Sequence, residues 1–166
     1  MPKLIKNTQI VSNPWALIAK DESLEQALAN SSANILVPAQ LWLDNKTAFT
    51  QASQQVAVWL DSDETAAMLA GDVNELSLIA LNFPAFTDGR SYSTATQLRQ
   101  QYHYTGELRA IGDVLRDQLT AMKRCGFDSF DVVDQVKDED ALGGFDDFAD
   151  SYQTTVIEPV PLFGRR

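Results

Sequence analysis

The sequence contains very few of the side chains that build thiol and metal sites. It has one cysteine, Cys125, and one histidine, His103, among 166 residues. One cysteine cannot form an internal disulfide, and this pair cannot supply a four-thiolate iron–sulfur cluster or a Cys/His zinc site. Neither G-x-G-x-x-G nor G-x-x-x-x-G-K-[ST] occurs, so the common dinucleotide and nucleotide phosphate loops are missing. The sequence therefore predicts no metal site and no recognisable cofactor.

Long apolar runs are missing as well. No run approaches the roughly 20 apolar residues that span a bilayer, and residues 1–11 carry lysines without the apolar core of a secretory signal. The formal net charge of −10 argues against nucleic acid or an anionic membrane as the main partner. An apolar fraction of 45% is ordinary for a globular chain. We expect a cytoplasmic protein with a single α/β domain over residues 1–166.

The charge is unevenly distributed along the chain. Residues 90–126 contain six basic and three acidic side chains, whereas residues 127–150 contain nine acidic side chains and only Lys137 to oppose them. Runs of this kind are usually solvated helix faces. The alternative is an electropositive site set into an acidic protein, formed by Arg90, Arg99, Arg109, Arg116, Lys123 and Arg124.

Apolar runs of strand length alternate with helical periodicity from residue 56 onward. Strands are predicted at 56–60, 78–83, 108–111 and 127–133, and helical stripes follow them, the first at 66–76 and the last at 142–156. Four successive strand–helix units predict a mainly parallel sheet with flanking helices. We favour an open sheet, and a half-barrel is the alternative because four such units make half of a (β/α)₈ barrel.

The first third of the chain is less regular. It predicts short strands at 15–19 and 35–37, a brief helix after Asp21, and a second helix with Pro38 in its first turn.

Ligands of parallel α/β sheets bind at the carboxyl ends of the strands, which directs attention to the loop at 86–93. A glycine, an arginine and hydroxyl groups at a helix N-terminus can bind a small oxyanion, because unpaired N–H groups point at it. Asp113, expected to be the N-cap of the next helix, and Arg116 follow the neighbouring strand. The alternative is an ordinary turn in which Arg90 pairs with Asp88 or Asp113. The candidate ligand-binding residues are Asp88, Gly89, Arg90, Ser91, Tyr92, Asp113 and Arg116.

Cys125 and His103 are weaker candidates for chemistry. Cys125 closes a predicted helix just before Gly126, where the helix dipole does not favour a thiolate, so we interpret it as a packing residue. His103 has no acid or nucleophile beside it in the sequence and is interpreted as a surface or capping residue.

Three segments carry a family resemblance. They are FTDGRSYS at 86–93, YTGELRAIGDVLRDQL at 104–119 and RCGFDSF at 124–130, with Leu98 and Arg99 between the first two. Together they resemble the bacterial family catalogued as domain of unknown function 934, over essentially the whole chain and most densely at 83–130. The chain departs from that family at Ser91 and His103, where relatives commonly have glycine.

The resemblance implies a pathway rather than a mechanism. Members are typically encoded beside the sulfite reductase haemoprotein and are often labelled as probable oxidoreductases of sulfite reduction, within sulfate assimilation and cysteine biosynthesis. No established catalytic residues carry over. One hypothesis is an accessory protein that docks on the haemoprotein or its electron donor. The other is an oxidoreductase or other enzyme that binds a small sulfur oxyanion or phosphorylated ligand at the 86–93 loop.

Overall fold

A computed structural model describes residues 3–132, 145 and 153–164. The strands are β1 (Lys3–Lys6), β2 (Gln9–Val11), β3 (Trp15–Leu17), β4 (Asn34–Pro38), β5 (Gln55–Leu60), β6 (Leu78–Phe83), β7 (Glu107–Gly112) and β8 (Ser129–Val132). The helices are α1 (Leu24–Ala29), α2 (Ala39–Asp44), α3 (Lys46–Gln51), α4 (Arg90–Gln100) and α5 (Leu119–Arg124). Short 3₁₀ turns occupy Ala66–Leu69, Val73–Glu75, Arg116–Gln118 and Leu162–Gly164.

The strands form one sheet in the order β2-β1-β8-β7-β6-β5-β4-β3. Strands β3 to β8 are parallel, and the β1–β2 hairpin joins β8 in antiparallel orientation. The mainly parallel α/β sheet predicted from the sequence is therefore confirmed. Each parallel strand lies beside the next one in the chain, so the order never reverses among the strands the structure describes. This succession is that of a half-barrel, the arrangement that the sequence left as the alternative.

Chain connectivity shows why the sheet must curl. Strands β2 and β3 lie at opposite ends of the strand order, yet only residues 12–14 connect them. Four residue steps span at most about 14 Å. A flat sheet of this width would hold its outer strands about 33 Å apart, at about 4.8 Å per strand. The sheet therefore curls until its two edges approach each other, with the helices outside and a concave inner face.

Alternate side chains of the strands pack on the two faces. The outer face belongs to the main core with the helices, and it includes Ile79, Leu81 and Phe83 of β6. The inner face holds a smaller buried cluster, formed by Leu36, Ala57, Trp59, Leu78, Ala80 and Ile111. Trp59 lies in this cluster with Ala57 and Ala80. Its indole N–H donates a hydrogen bond to the carbonyl of Ile18 at 3.0 Å. The near-uniform apolar character of β5 and β6 reflects this burial on both faces.

The predicted strands from residue 56 onward correspond to β5–β8, and those of the first third correspond to β3 and β4. The predicted helix at 66–76 is wrong, because two 3₁₀ turns replace it. Its apolar residues are buried as expected, but Gly71 and Asp72 interrupt the segment, and Lys46 holds Asp72 in an ion pair at 2.5 Å. Pro38 ends β4 at the N-cap position of α2 and is not in its first turn.

The β1–β2 hairpin was not predicted from the sequence, because its segment alternates poorly and its turn lacks glycine. The helix predicted at 142–156 lies mostly outside the described residues, and residues 153–156 of it are not helical.

Candidate functional site

The carboxyl ends of β5, β6 and β7 meet at one rim of the half-barrel, which we call the carboxyl rim. Asp61 follows β5, and its Oδ1 accepts hydrogen bonds from Asn82 Nδ2 at 3.0 Å and from the Ser62 N–H at 2.9 Å. Lys20 Nζ, which follows β3, donates to Asp61 Oδ2 at 2.9 Å. Gly112 ends β7 with φ +93°, and a Cβ there would lie 2.5 Å from Asn82 Oδ1. Glycine is therefore required for Asn82 to reach Asp61.

The Lys20–Asp61 pair is charged. Burial raises the pKa of Asp61, but hydrogen bonds from Asn82, Lys20 and Ser62 outweigh it, so the net shift is downward. The hydrogen bond to Asp61 raises the pKa of Lys20. The lysine is thus held as an ammonium and the aspartate as a carboxylate, which suits structure or charge recognition better than proton transfer near neutral pH.

Asp88 occupies the position at the 86–93 loop where an oxyanion was predicted to bind. The Arg90 guanidinium donates to both Asp88 oxygens, Nε to Oδ1 at 3.0 Å and a terminal nitrogen to Oδ2 at 2.7 Å. The Arg90 N–H also donates to Asp88 Oδ1, at 3.2 Å, and the guanidinium donates to Ser62 Oγ at 2.9 Å. These hydrogen bonds hold the pKa of Asp88 well below its usual range. The pairing alternative is what the structure contains, although Arg90 remains 60% exposed.

The other candidate residues of the loop have packing or tethering contacts. Ser91 is buried, and its hydroxyl donates to the Asn82 carbonyl at 2.7 Å. Tyr92 is half-buried edge-on against Phe83, with ring centroids 5.3 Å apart. Gly89 is the N-cap residue of α4 and provides no side-chain acceptor.

Asp113 does not have the predicted role of helix N-cap. Asp113 Oδ2 accepts the Phe86 N–H at 2.9 Å, so Asp113 ties the 84–88 loop to β7. The next turn has Leu115 at its N-cap position, and Arg116 begins the 3₁₀ turn before α5. The prediction that Asp113 is the helix N-cap is therefore wrong, because the carboxylate turns towards the neighbouring loop.

Phe86 is a feature of the carboxyl rim that sequence reasoning missed. Its side chain is 46% exposed, while its N–H is bound by Asp113 and its carbonyl accepts from Gln118 Nε2 at 3.2 Å. The backbone under this exposed ring is thus fixed on both sides. An aromatic residue among the turn residues Pro84, Thr87 and Asp88 was the available signal.

The basic residues at 90–126 do not form one electropositive site. Arg99 is largely buried and donates to the carbonyls of Tyr104, Gly106 and Gly126 at 2.7 to 2.9 Å. Arg109 is 2% exposed on the inner face of the sheet. Both therefore stabilise the interior rather than the surface.

A polar cluster, which we call the inner cluster, surrounds Arg109 towards the amino ends of β7 and β8. Glu107 Oε1 accepts from Arg109 at 2.6 and 3.0 Å and from Ser129 Oγ at 2.7 Å, and its Oε2 accepts from Lys6 Nζ at 2.5 Å. Asn13, in the link between β2 and β3, accepts from Arg109 at 3.1 Å. This cluster ties the link between β2 and β3 to β7, β8 and β1. Buried polar networks at the amino ends of barrel strands support stability.

Asp131 lies beside the inner cluster. Its Oδ2 accepts from Asn13 Nδ2 at 3.2 Å, and its Oδ1 is buried without a hydrogen-bond partner. Burial raises the pKa of Asp131, although Arg109 and Asn13 act in the opposite direction.

Cys125 is partly buried, and His103 has a left-handed backbone conformation. Burial raises the pKa of the Cys125 thiol, which agrees with a packing residue. His103 follows α4 with φ +54°, the left-handed conformation that glycine adopts most readily. This backbone geometry accounts for the glycine expected there in relatives.

Membrane-spanning helices and metal-binding clusters are both absent from the described part of the chain. Over the described ranges, no helix is long and apolar enough to cross a membrane. Within the same part of the chain, no three His, Cys, Asp or Glu side chains gather as a metal site would require.

Comparison with known proteins identifies the family. No curated protein matches the chain. A family model described as "Bacterial protein of unknown function (DUF934)" matches residues 57–163, which include Asp61, Asn82, the 86–93 loop and the inner-cluster residues of β7 and β8. The chain belongs to the DUF934 family.

Proposed function

We propose that this protein is an accessory factor of assimilatory sulfite reduction that docks on the sulfite reductase haemoprotein or its electron donor. The pathway follows from the family resemblance given above. The docking role rests on one observation, the exposed and rigidly held Phe86 at the carboxyl rim.

Phe86 has the properties of an interface anchor. Aromatic residues dominate the energetics of protein interfaces when a partner pocket buries them. Because Asp113 and Gln118 already fix its backbone, docking would order little more than the ring itself. Such preorganisation reduces the entropic cost of association.

The surroundings of Phe86 suit a protein surface better than a free charged pocket. At the carboxyl rim Lys20 is paired with Asp61 and Arg90 with Asp88. In both pairs the charges are already matched. Matched charges at this rim disfavour partners with the wrong charge pattern.

The test measures binding of the purified chain to the haemoprotein and, separately, to its electron-donor subunit, by surface plasmon resonance. Phe86→Ala should weaken binding to one of them by at least tenfold, as expected for an anchor worth about 1.4 kcal/mol or more. Phe163→Ala is the matched control, since Phe163 is also exposed but lies in the 153–164 segment. Absence of binding to both proteins, or equal binding by the two variants, would refute the docking role.

A second candidate function is the binding of a small sulfur oxyanion or phosphorylated ligand by an enzyme. The observation that favours it is that the guanidinium and the backbone N–H of Arg90 together bind a carboxylate group, here that of Asp88. In this hypothesis Asp88 is an internal occupant that an incoming oxyanion displaces.

Asp88→Asn provides a direct test of the oxyanion hypothesis. Removing the internal carboxylate should tighten sulfite or phosphate binding, measured by isothermal titration calorimetry. Asp63→Asn is the control for loss of one nearby negative charge, because Asp63 lies close enough to influence Arg90. Equal anion binding by wild type and both variants would eliminate the oxyanion site.

A further inference from the structure

A cavity of about 350 Å³ lies among the β1–β2 turn, α5, the start of β8 and the 153–164 segment. Its described lining consists of Asn7, Thr8, Lys123, Phe127, Asp128, Phe130, Phe145 and Ile157. The volume falls in the range of small-molecule sites, about 300–1,000 Å³. We propose that this aromatic cavity binds a small planar aromatic molecule that carries a negative charge.

The apolar walls determine the preference for an aromatic ligand. Phe127 and Phe130 are 2% and 3% exposed, so they form a fixed floor. Phe130 packs against Phe145 with ring centroids 5.3 Å apart, and Phe127 packs against Phe83 at 5.8 Å. Phe145 is only partly buried, so a planar aromatic guest can pack against this ring above the buried floor.

The polar part of the lining determines the preference for an anion. Lys123 Nζ stands 5.7 Å from the centre of the Phe145 ring, at the border of the cavity. The carboxylate in the lining, Asp128, is already engaged, since its Oδ1 accepts from the Leu108 N–H at 2.9 Å and its Oδ2 from Arg99 at 3.1 Å. Among the described lining residues, Lys123 is thus the charged group in position to attract a ligand. A cation at the mouth of an apolar cavity favours a ligand that is apolar at one end and anionic at the other.

The β1–β2 turn provides the polar border of the cavity. Asn7 and Thr8 have φ values of +51° and +58°, as expected for the two central residues of a tight hairpin loop. The turn places an amide and a hydroxyl side chain at the border of the cavity.

The experiment uses two fluorescent probes with related rings, 8-anilinonaphthalene-1-sulfonate and the uncharged N-phenyl-1-naphthylamine. The wild-type chain should bind one equivalent of each in a saturable manner. Lys123→Gln should weaken binding of the sulfonate about tenfold and leave binding of the neutral probe unchanged. Lys46→Gln is the matched control, because Lys46 also stands over an aromatic ring, at 5.0 Å from the Trp42 centroid, outside the cavity. It should change neither affinity.

A second variant tests the location of the site. Ile157 lines the cavity but is half exposed, so Ile157→Trp can fill the cavity without disturbing the core, and it should abolish binding of both probes. Far-ultraviolet circular dichroism and a thermal unfolding transition like those of wild type verify that each variant is folded. The proposal is overturned if the folded wild-type chain shows no saturable 1:1 binding, if Lys123→Gln and Lys46→Gln behave alike, or if Ile157→Trp binds as wild type does.

Discussion

The buried Arg109–Glu107 pair allows a quantitative test of how the curled sheet is held together. Arg109 is 2% exposed, and Glu107 is the carboxylate that neutralises it. Glu107→Leu leaves the arginine charge buried without that partner, which costs about 3–5 kcal/mol of unfolding free energy. Arg109→Met leaves Glu107 with its bonds from Lys6 and Ser129, so we expect a smaller loss of about 1–3 kcal/mol.

The double variant, Arg109→Met with Glu107→Leu, should cost less than the sum of the two single changes. Replacing both members of a buried ion pair by apolar side chains leaves no uncompensated charge and is often close to neutral. Urea denaturation followed by tryptophan fluorescence measures all three changes, since Trp15 and Trp59 pack in the same inner face. A matched cycle on Lys46 and Asp72, whose side chains are 42% and 19% exposed, should give a coupling of at most about 1 kcal/mol.

The same pair predicts a pH dependence. Burial raises the pKa of Glu107, but the hydrogen bonds from Lys6, Ser129 and Arg109 bring the net pKa below the ordinary value of 4.5. A lowered folded-state pKa means that this stabilisation is present above pH 4.5 and is lost as the pH falls through the folded-state pKa. Glu107→Leu should lack this part of the acid destabilisation. The reasoning is refuted if Glu107→Leu costs less than about 1 kcal/mol at pH 7, or if the two cycles give equal couplings.

Three further outcomes are expected. Gly112→Ala should destabilise the protein by about 2 kcal/mol or more in a urea titration, because a Cβ at φ +93° would lie 2.4 Å from the Phe83 carbonyl oxygen. Gly71→Ala is the control, because a Cβ there would meet nothing within 4 Å. Its unfolding free energy should lie within about 1 kcal/mol of wild type. Cys125 should react with Ellman's reagent more slowly in the native protein than in urea, because burial raises its thiol pKa; an equal rate would refute this, and a faster rate would show that the thiol is activated. Arg90→Ala should leave the thermal unfolding midpoint close to that of wild type, since the Arg90 side chain is 60% exposed and exposed ion pairs contribute little to stability, and a large drop in the midpoint would show that the pair is structural.

Much of the sheet could be predicted because its signals are local. The apolar runs of β5 and β6 are continuous, and continuous runs of strand length indicate strands buried on both faces. The succession of strands and helices then favours parallel pairing with short crossovers. The helix predicted at 66–76 failed for a different reason. The spacing of the buried residues Ala66, Leu69, Val73 and Leu76 is that of one face of an α-helix. Two consecutive 3₁₀ turns bury the same residues equally well.

The candidate site was only partly predictable. The sequence pointed to the 86–93 loop and recognised that Arg90 could pair with Asp88, because the two residues are neighbours. It could not identify the contact of Lys20 with Asp61 or the tether between Asp113 and Phe86. These contacts join segments that are distant in sequence and that meet only when parallel strands align their carboxyl ends.

What the sequence determined by itself is therefore the α/β class, the parallel strands and the position of the loops, since periodicity and turn residues act over a few neighbouring positions. What only the tertiary structure decided is the curvature of the sheet and the environment of its charges. The short link at 12–14 draws β2 and β3 together, and this closure encloses Arg109 with Glu107, Ser129 and Asn13. An arginine in a strand appears in the sequence only as a polar residue. Its burial as an ion pair depends on partners from three separate segments, because the free energy of a charge is set by everything that surrounds it in space.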